Sequence, residues 1–435
     1  MTTVLDEIPI IEGWTELPIR AVTQKISEVG FGDLEPLSVY LEAGVVPRSS
    51  RDDNHNQLGE DIQKYQRVLP NDLVFNKLRT WQGGFGISDY EGIVSPAYII
   101  ARPNLGLIDP KFLGYLLKSK PYLAELTRLS KWMPPSQFDI SWESIRDIKL
   151  RVPSIEKQRL ITKFLDRKVG AIEMLIAANK RKLSLLDQAR STTFTNIVLG
   201  FAEFSKESAA LLEEDEWRKM LPEGWKLLPL KHLVECDNTG IWGEEPGALD
   251  IDVSISTTAH LTRKNEFLFS AMPVRSMTSA DWLKYKCRPG DIIVVKSSGS
   301  ADNIMSGKAV LVVDDAPDFT FSNFLLRLRP RNRAYAQYLQ AFLTSNITVE
   351  RIKKMVSTTT YPNLKVEEYL NAQVPFPPLD EIGNLSDKLL QKENQFNMAF
   401  GSTEIQIEKL LEYRSALITS TVTGTYDTLE EGAIK

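Results

Sequence analysis

The stretch SLLDQARSTTFTNIVLG at residues 184–200 returns as EKLLEYRSALITSTVTG at 408–424. Arg190 and Arg414, Ser191 and Ser415, and Gly200 and Gly424 all stand 224 residues apart. A step held constant at several residues constrains the chain to a fold that contains one structural unit twice. The echo reaches further. EGWTELPIR (12–20) is repeated as EGWKLLPLK (223–231), so Trp14 matches Trp225 and Pro18 matches Pro229. LPNDLVFNK (69–77) is echoed by RPGDIIVVK (288–296), each a Pro-led turn and an apolar run of strand length ending in Lys77 or Lys296. VSPAYIIARP (94–103) and FSNFLLRLRP (321–330) are also strand-like, with Arg102 over Arg329. FLGYLLKS (112–119) and YLQAFLTS (338–345) have the spacing of a short buried helix, and VPSIEKQ (152–158) pairs with FPPLDEI (376–382) at the step of 224. The order is the same in both halves, which marks a tandem duplication.

Each copy is therefore a mixed strand and helix globule followed by a long helix. The first helix starts near Ser154, with Pro-Ser entry chemistry and Glu156 in its first turn. Leu165, Val169, Ile172, Ile176, Asn179, Leu183, Leu186, Arg190, Thr193 and Ile197 follow in steps of four and three, the period of a coiled-coil seam. The step of 224 carries these to Leu389, Glu393, Phe396, Phe400, Thr403, Ile407, Leu410, Arg414, Leu417 and Thr421. Asn179 and Thr403 are polar seam positions, which cost stability and can fix register. A helix of about 35 to 40 residues spans about 55 to 60 Å, and one turn of DNA separates half-sites by about 34 Å, so the arrangement suits a reader of two half-sites with a spacer. The expected fold is α+β: two α/β globules in tandem pseudo-repeat, separated by two long helices packed as an antiparallel coiled coil. The expected boundaries are a globule at 1–153, a helix at 154–200, a charged linker at 201–221, a globule at 222–375, a helix at 376–424 and a tail at 425–435.

At 435 residues, 43% hydrophobic and 25% charged, the chain has the composition of a soluble globular protein large enough for two or more cores. No apolar run approaches the roughly 20 residues of a membrane span, and the start MTTVLDEIPI lacks a basic signal region, so the expected address is the cytoplasm, with no membrane partner. Cys236 and Cys287 stand alone, which favours reduced structural thiols over a zinc site. Net charge is −5, yet residues 222–375 carry 18 Lys/Arg against 17 Asp/Glu, while 376–435 carry 5 against 10. Charge therefore neither demands nor excludes DNA.

The catalytic patterns fail one by one. MPPS (133–136) and FPPL (376–379) lack the carbonyl-bearing residue that an amino-methyltransferase motif places before its prolines. DNIMSGKA (302–309) has Asp302 where a P-loop needs its first glycine and Ala309 where it needs a hydroxyl, and reads as a turn. Asp166 and Lys168 have nuclease spacing but fall on the long helix, where surface pairing explains them, and His55, His232 and His260 are isolated in sequence. No catalytic or metal-binding residue is assigned.

Base reading needs hydrogen-bonding side chains on exposed loops, and phosphate binding needs Lys, Arg, hydroxyls or backbone amides. NKLRTWQGGFG (76–86) offers Lys77, Arg79 and Gln82 beside glycines. KSSGSADN (296–303) holds the same repeat position with Lys296, Ser297, Ser298 and Ser300. A second loop pair, PPSQF (134–138) and TTTYPN (358–363), supplies Gln137, Thr359, Tyr361 and Asn363 for reading or stacking, or for ordinary turn and capping roles. Trp14 and Trp225 read as core anchors, and Arg102 and Arg329 as either phosphate contacts or local pairs.

The order of globule, VPSIEKQRLITKFLDRKVGAIEMLI (152–176), LLDQARSTTFTNIVLG (185–200), LPEGWKLLPL (221–230), second globule and second helix resembles the specificity subunit of type I restriction-modification systems. DLVFNKLRTWQGGFGIS (72–88) with GIVSPAYIIARP (92–103) is similar to a recurrent target-recognition motif of that family. The resemblance implies a non-catalytic host-defence subunit whose two target-recognition domains each read half of a bipartite double-stranded DNA site. It implies helices that dock two methyltransferase subunits using S-adenosylmethionine to methylate adenine N6, and restriction subunits that use ATP and Mg. The second copy departs from the pattern: DEIGNLSDKLL (380–390) replaces EKQRLITKFLD (156–166), losing the Glu-Gln pair, and Gly401 sits within the helix at a cost of about 1 kcal/mol relative to alanine. Whether both docking sites are equivalent stays open. The competing classes are a standalone DNA-acting enzyme such as a nuclease, and a structural coiled-coil adaptor.

Overall fold

The computed structural model describes residues 5, 8–41, 43–50, 62–133, 137–201, 218, 221–237, 239–262, 264–297, 299–300, 303–304, 306–355 and 363–426, with the backbone alone at 132–133, 137, 299–300, 303–304 and 353–355. The chain divides into two compact units, Met1–Ala178 with Gln406–Lys435, and Asn179–Ile405. Among the described residues no helix is long and apolar enough to cross a membrane.

In chain order the first unit holds β1 (Thr15–Pro18), α1 (Ile19–Val22), β2 (Thr23–Ile26), β3 (Leu73–Asn76), β4 (Phe85–Ile87), β5 (Tyr98–Pro103), α2 (Pro110–Lys118), α3 (Trp142–Ile145), β6 (Lys149–Val152) and the first part of α4 (Ile155–Val198). The sheet order is β2-β5-β3-β4, antiparallel throughout. β3 is central and buried on both faces, which is why it reads as a continuous apolar run rather than an alternation. Leu73 and Phe75 enter the main core with α2 and α4, while Val74 enters a smaller core on the opposite face with Val39, Val68 and Val94. β1 pairs with β6, Thr15 facing Val152. The chain thus closes the globule before α4 begins.

The second unit repeats this plan with β7 (Lys226–Pro229), α5 (Leu230–Leu233), β8 (Val234–Asp237), β9 (Ile292–Val295), β10 (Ala309–Leu311), β11 (Leu325–Pro330), α6 (Ala336–Leu343), α7 (Val366–Leu370), β12 (Gln373–Phe376) and the first part of α8 (Leu379–Val422). The sheet order is β8-β11-β9-β10, and β7 pairs with β12 as β1 does with β6. Ile292 and Val294 face one core, Ile293 and Val295 another. The copies differ on that second face. The first builds small two-stranded pairs there, and the second a three-stranded sheet in which Ser254 lies parallel to Phe319. A turn of the second globule also rests on α8: Asn265 Nδ2 donates to Glu393, Asn397 Nδ2 donates to Glu266, and Lys264 pairs with Glu404 at 3.0 Å.

α4 and α8 have 44 residues each, about 66 Å of helix. In the first unit Leu165, Ile172 and Ile176 share a core with Leu417 and Val422, with Ile407 and Leu410 half-buried against it. Glu173 pairs with Arg414, and the Phe164 ring lies 6.0 Å from Tyr426. In the second unit Leu183 is buried and Leu186 half-buried, Leu389 shares a core with Phe194 and Val198, and the Arg190 guanidinium covers buried Phe400 at 5.1 Å. Phe194 meets Phe396 edge-on at 6.4 Å. In both units numbering rises along one helix as it falls along the other.

The seam expected at Thr193 and Ile197 shifts by one residue: Phe194 and Val198 are buried, and Thr193 and Ile197 only half-buried. An α-helix drifts about 20° per heptad from a 3.5-residue repeat, so over four heptads from Leu165 the buried stripe moves about one position. Thr403 also departs from its expected role. It is fully buried, but its hydroxyl donates to Ala399 O of its own helix at 2.8 Å.

Both long helices end in the same cap. Gly200 (φ 72°) donates to Ile197 O and Phe201 to Asn196 O, while Gly424 (φ 75°) donates to Thr421 O and Thr425 to Ser420 O. This is the Schellman pattern, whose left-handed residue favours glycine. The buried Tyr338 hydroxyl takes up one more terminal carbonyl, Val198 O, at 2.7 Å. The repeated Gly200 and Gly424 are therefore helix stops.

Candidate nucleic-acid interface

The turn after β3 is held by its own backbone. Thr80 Oγ1 and the Arg79 N–H both donate to Asn76 O, Gly84 N donates to Arg79 O, and Gly83 adopts φ 87°. A Cβ at Gly84 would stand 2.7 Å from that same Arg79 oxygen, so the turn closes this tightly only around glycine. Arg79 and Gln82 are exposed on it, and Lys77 is half-buried. Beside it lies the hairpin Lys131–Met133 with Gln137–Asp139, joined to the turn by Trp81 against Phe138 at 4.8 Å. Gln137 is described here by its backbone, which pairs with Met133.

In the second globule the equivalent stretch leaves β9 at Lys296. The Lys296 N–H donates to Phe324 O, Leu364 N donates to Lys296 O at 2.8 Å, and Ser297 forms a β-bridge with Asn363. The two loops proposed from sequence thus meet in this copy as in the first. Ser300 is described by its backbone, paired with Asn303, and Ser298, Thr359 and Tyr361 lie outside the described residues.

A cleft adjoins each loop pair, and sequence reading did not anticipate it. In the first globule a cleft of about 350 Å³ is lined by Lys25, Lys64, Lys77, Ser141, Trp142 and Glu143, among others. Glu143 is held below the usual carboxylate range by the hydrogen bond from its own backbone N–H, with Lys25 adding to the effect. In the second globule a cleft of about 660 Å³ is lined by Cys236, Lys365, Val366, Glu367 and Glu368. Burial pushes the Cys236 thiol up to about 11, although the Lys296 charge works in the opposite direction.

Several residues singled out in the sequence have structural work. Arg102 donates from Nε and Nη2 to the two oxygens of buried Asp72, at 2.9 and 3.0 Å, and reaches Glu28 at 3.1 Å. Arg329 does the same to buried Asp291 at 2.7 Å twice. These arginines are local pairs, held above their ordinary pKa first by the aspartate hydrogen bonds. Each aspartate also accepts a turn N–H, from Leu69 or Arg288, which ties the Pro-led turn to the arginine strand. Gln158 is buried: its Oε1 accepts from Asp109 N at 2.8 Å, and its Nε2 donates to Pro153 O and Leu107 O. It fastens α4 to the first globule. Ile382 takes that position in the second copy and does so by apolar packing, so the lost Glu-Gln pair marks a different fastening.

The catalytic look-alikes are similarly occupied. Lys308 Nζ donates to Leu261 O, Asp166 accepts from Lys111 and Tyr115, and His260 Nδ1 accepts from Thr257 N. Cys236 and Cys287 are free thiols, and no group of three or more His, Cys, Asp or Glu able to hold a metal occurs among the described residues.

No family model matches the chain. It is similar to the type I restriction enzyme StySPI specificity subunit of Salmonella potsdam, 21% identical over 350 residues that cover 75% of this chain and 70% of that one. It is similar also to the type I restriction enzyme MjaVIII specificity subunit of Methanocaldococcus jannaschii, 22% identical over 361 residues that cover 80% and 79%. A solved chain from work on complex assembly and conformational transition of the type I R-M system shares the fold, with TM-score 0.58 and 16% identity over 95% of this chain and 98% of that one.

Proposed function

We propose that this chain, a member of the type I specificity-subunit family, reads a bipartite double-stranded DNA target for a restriction-modification complex. The observation that carries the proposal is the duplication itself. Each unit offers the same sheet, the same meeting of two loops and an adjoining cleft. Residues 1–153 and 222–375 are the two target-recognition domains, and each reads one half-site. The helices at 154–200 and 376–424 pair as an antiparallel coiled coil, set the gap and dock two methyltransferase subunits; 201–221 is the linker and 425–435 the tail.

DNA contacts come from Lys77, Arg79, Gln82 and Gln137 in one domain, and from Lys296, Ser297, Ser298, Ser300, Thr359, Tyr361 and Asn363 in the other. The chain contributes differential binding, with each wrong base pair costing about 1 to 3 kcal/mol. Methyl transfer with S-adenosylmethionine and ATP- and Mg-dependent cleavage belong to the methyltransferase and restriction subunits. The place of action is the cytoplasm.

The test is to co-express the chain with its methyltransferase subunit and map methylated adenines by single-molecule sequencing, with the chain deleted as control. A bipartite motif that vanishes on deletion is expected. Methylation unchanged by deletion would overturn the proposal in favour of an adaptor or standalone enzyme.

A further inference from the structure

The two clefts occupy the same place in the duplicated fold. Lys25 on β2 and Cys236 on β8 are 211 residues apart, the step that relates Trp14 to Trp225. Ser141, Trp142 and Glu143 at the start of α3 correspond by the 224 step to Lys365, Val366 and Glu367 at the start of α7. The lysine that follows the central strand stands beside both: Lys77 lines the first cleft, and Lys296 O accepts at 2.8 Å from the N–H of Leu364, the neighbour of the cleft-lining Lys365, in the second. One chain therefore supplies its own comparison. Lys77/Lys296 and Glu143/Glu367 are kept, while Lys25/Cys236, Ser141/Lys365 and Trp142/Val366 are changed.

The change at Ser141/Lys365 goes against local stability. In the first copy Ser141 is the N-cap of α3 and accepts from Ser144 N at 3.3 Å. In the second, Lys365 holds the N-cap of α7 and makes no capping bond. A cap of the serine kind is worth about 1 kcal/mol, and a cation at a helix N-terminus opposes the macrodipole. The Lys365 contact with Glu368 lies between two half-exposed side chains, where an ion pair contributes little. Local rules are broken where function takes precedence, and this position faces the cleft.

We infer that each cleft receives its DNA half-site, with the kept lysine, Lys77 or Lys296, holding the backbone, and the changed positions, Lys25 and Ser141 against Cys236 and Lys365, selecting the bases. The inference rests on the proposed reading of bipartite DNA. The chemistry agrees with the division. Lysine as a point charge suits phosphate in either copy. At the changed positions a lysine donates to guanine O6 and N7, a serine accepts or donates, and a cysteine offers a small apolar surface. The two half-sites are accordingly different sequences.

The test exchanges residues between copies in the intact chain co-expressed with its methyltransferase, using Lys25→Cys, Ser141→Lys and Lys365→Ser, with adenine methylation mapped across the genome. Lys25→Cys and Ser141→Lys are expected to alter only one half of the motif, and Lys365→Ser only the other, each changing base preference by roughly 5- to 150-fold. Lys77→Ala and Lys296→Ala are expected to leave the motif unchanged and reduce the slope of log K against log salt by about one. Co-purification with the methyltransferase monitors folding; if an N-cap exchange fails to assemble, Lys25→Cys on the exposed face of its strand decides for the first cleft, and Lys365→Ala for the second. A wild-type bipartite motif that all exchanges leave intact, or alter in both halves equally, would overturn this inference while leaving the proposed function standing. Absence of any chain-dependent motif would instead remove the proposed function.

Discussion

Gly424 ends the second long helix against the indole of Trp14, so closely that a Cβ at this position would lie 2.9 Å from Trp14 Cζ2. Gly200 stands in the same relation to Trp225, whose Cη2 would be 3.1 Å away. Both glycines are in the left-handed region, at φ 75° and 72°. Gly424→Ala and Gly200→Ala should each destabilise the protein by about 1 to 3 kcal/mol, from backbone strain and lost tryptophan packing. Urea unfolding followed by tryptophan emission checks this; a midpoint equal to wild type would mean the ends relax freely.

Gly401 should behave in the opposite way. It lies inside α8, and an added Cβ would meet only Lys264 Nζ, at an ordinary 3.5 Å. Gly401→Ala should raise stability by up to about 1 kcal/mol through backbone entropy alone. A loss of stability in the same urea assay would show that the Lys264 side chain cannot give way.

Asp72→Ala should cost about 2 kcal/mol. The aspartate is 1% exposed, but Arg102 is 32% exposed and can turn to water, so the penalty falls below the 3 to 5 kcal/mol of a fully buried broken pair. A double-mutant cycle with Arg102→Ala measures the coupling, and Asp291 with Arg329 should repeat it. If Arg102→Ala weakened DNA binding with stability intact, the local pairing role would be wrong.

Glu393 gives a pH signature. It is buried in the helix seam, and desolvation raises its pKa against the opposing pull of Arg190, 3.7 Å away. Its folded pKa lies above its unfolded value of 4.5, so the folded state binds more protons between the two. Its contribution to stability is fully present below the unfolded pKa and declines as pH rises through the folded pKa. Glu393→Gln should therefore be more stable than wild type at neutral pH, with the gap closing as pH falls towards 4.5. Thermal unfolding across that range tests the sign; a gap that widens on acidification would contradict it.

The duplication and the central strands were legible because LVFN and IIVV are buried on both faces and need no alternation to be recognised. Burial follows the 3.5-residue spacing at Leu165, Ile172, Ile176 and Leu183 and then slips, because residue spacing shows the period but not the drift that moves burial onto Phe194. Arg102 was ambiguous for a different reason. Its partner Asp72 is 30 residues away, and only the sheet brings them together. The clefts were invisible in sequence since Lys25, Lys77 and Ser141 come from three separate elements. Gln158 was legible only as part of the Glu-Gln pair that the second copy loses, and its role comes from hydrogen bonds that point inward to Pro153, Leu107 and Asp109.

The turn of the second globule that rests on α8 contacts Glu393, Asn397 and Glu404. These positions fall on one side of the helix and span 11 residues, about 16 Å of its length. Contact at one point would leave a pivot. Contact at three points along a line behaves as a key in a keyway, so twisting the globule about the helix axis shears all three bonds together. A torque applied to the globule would then be passed to the helix instead of being lost in a swivel.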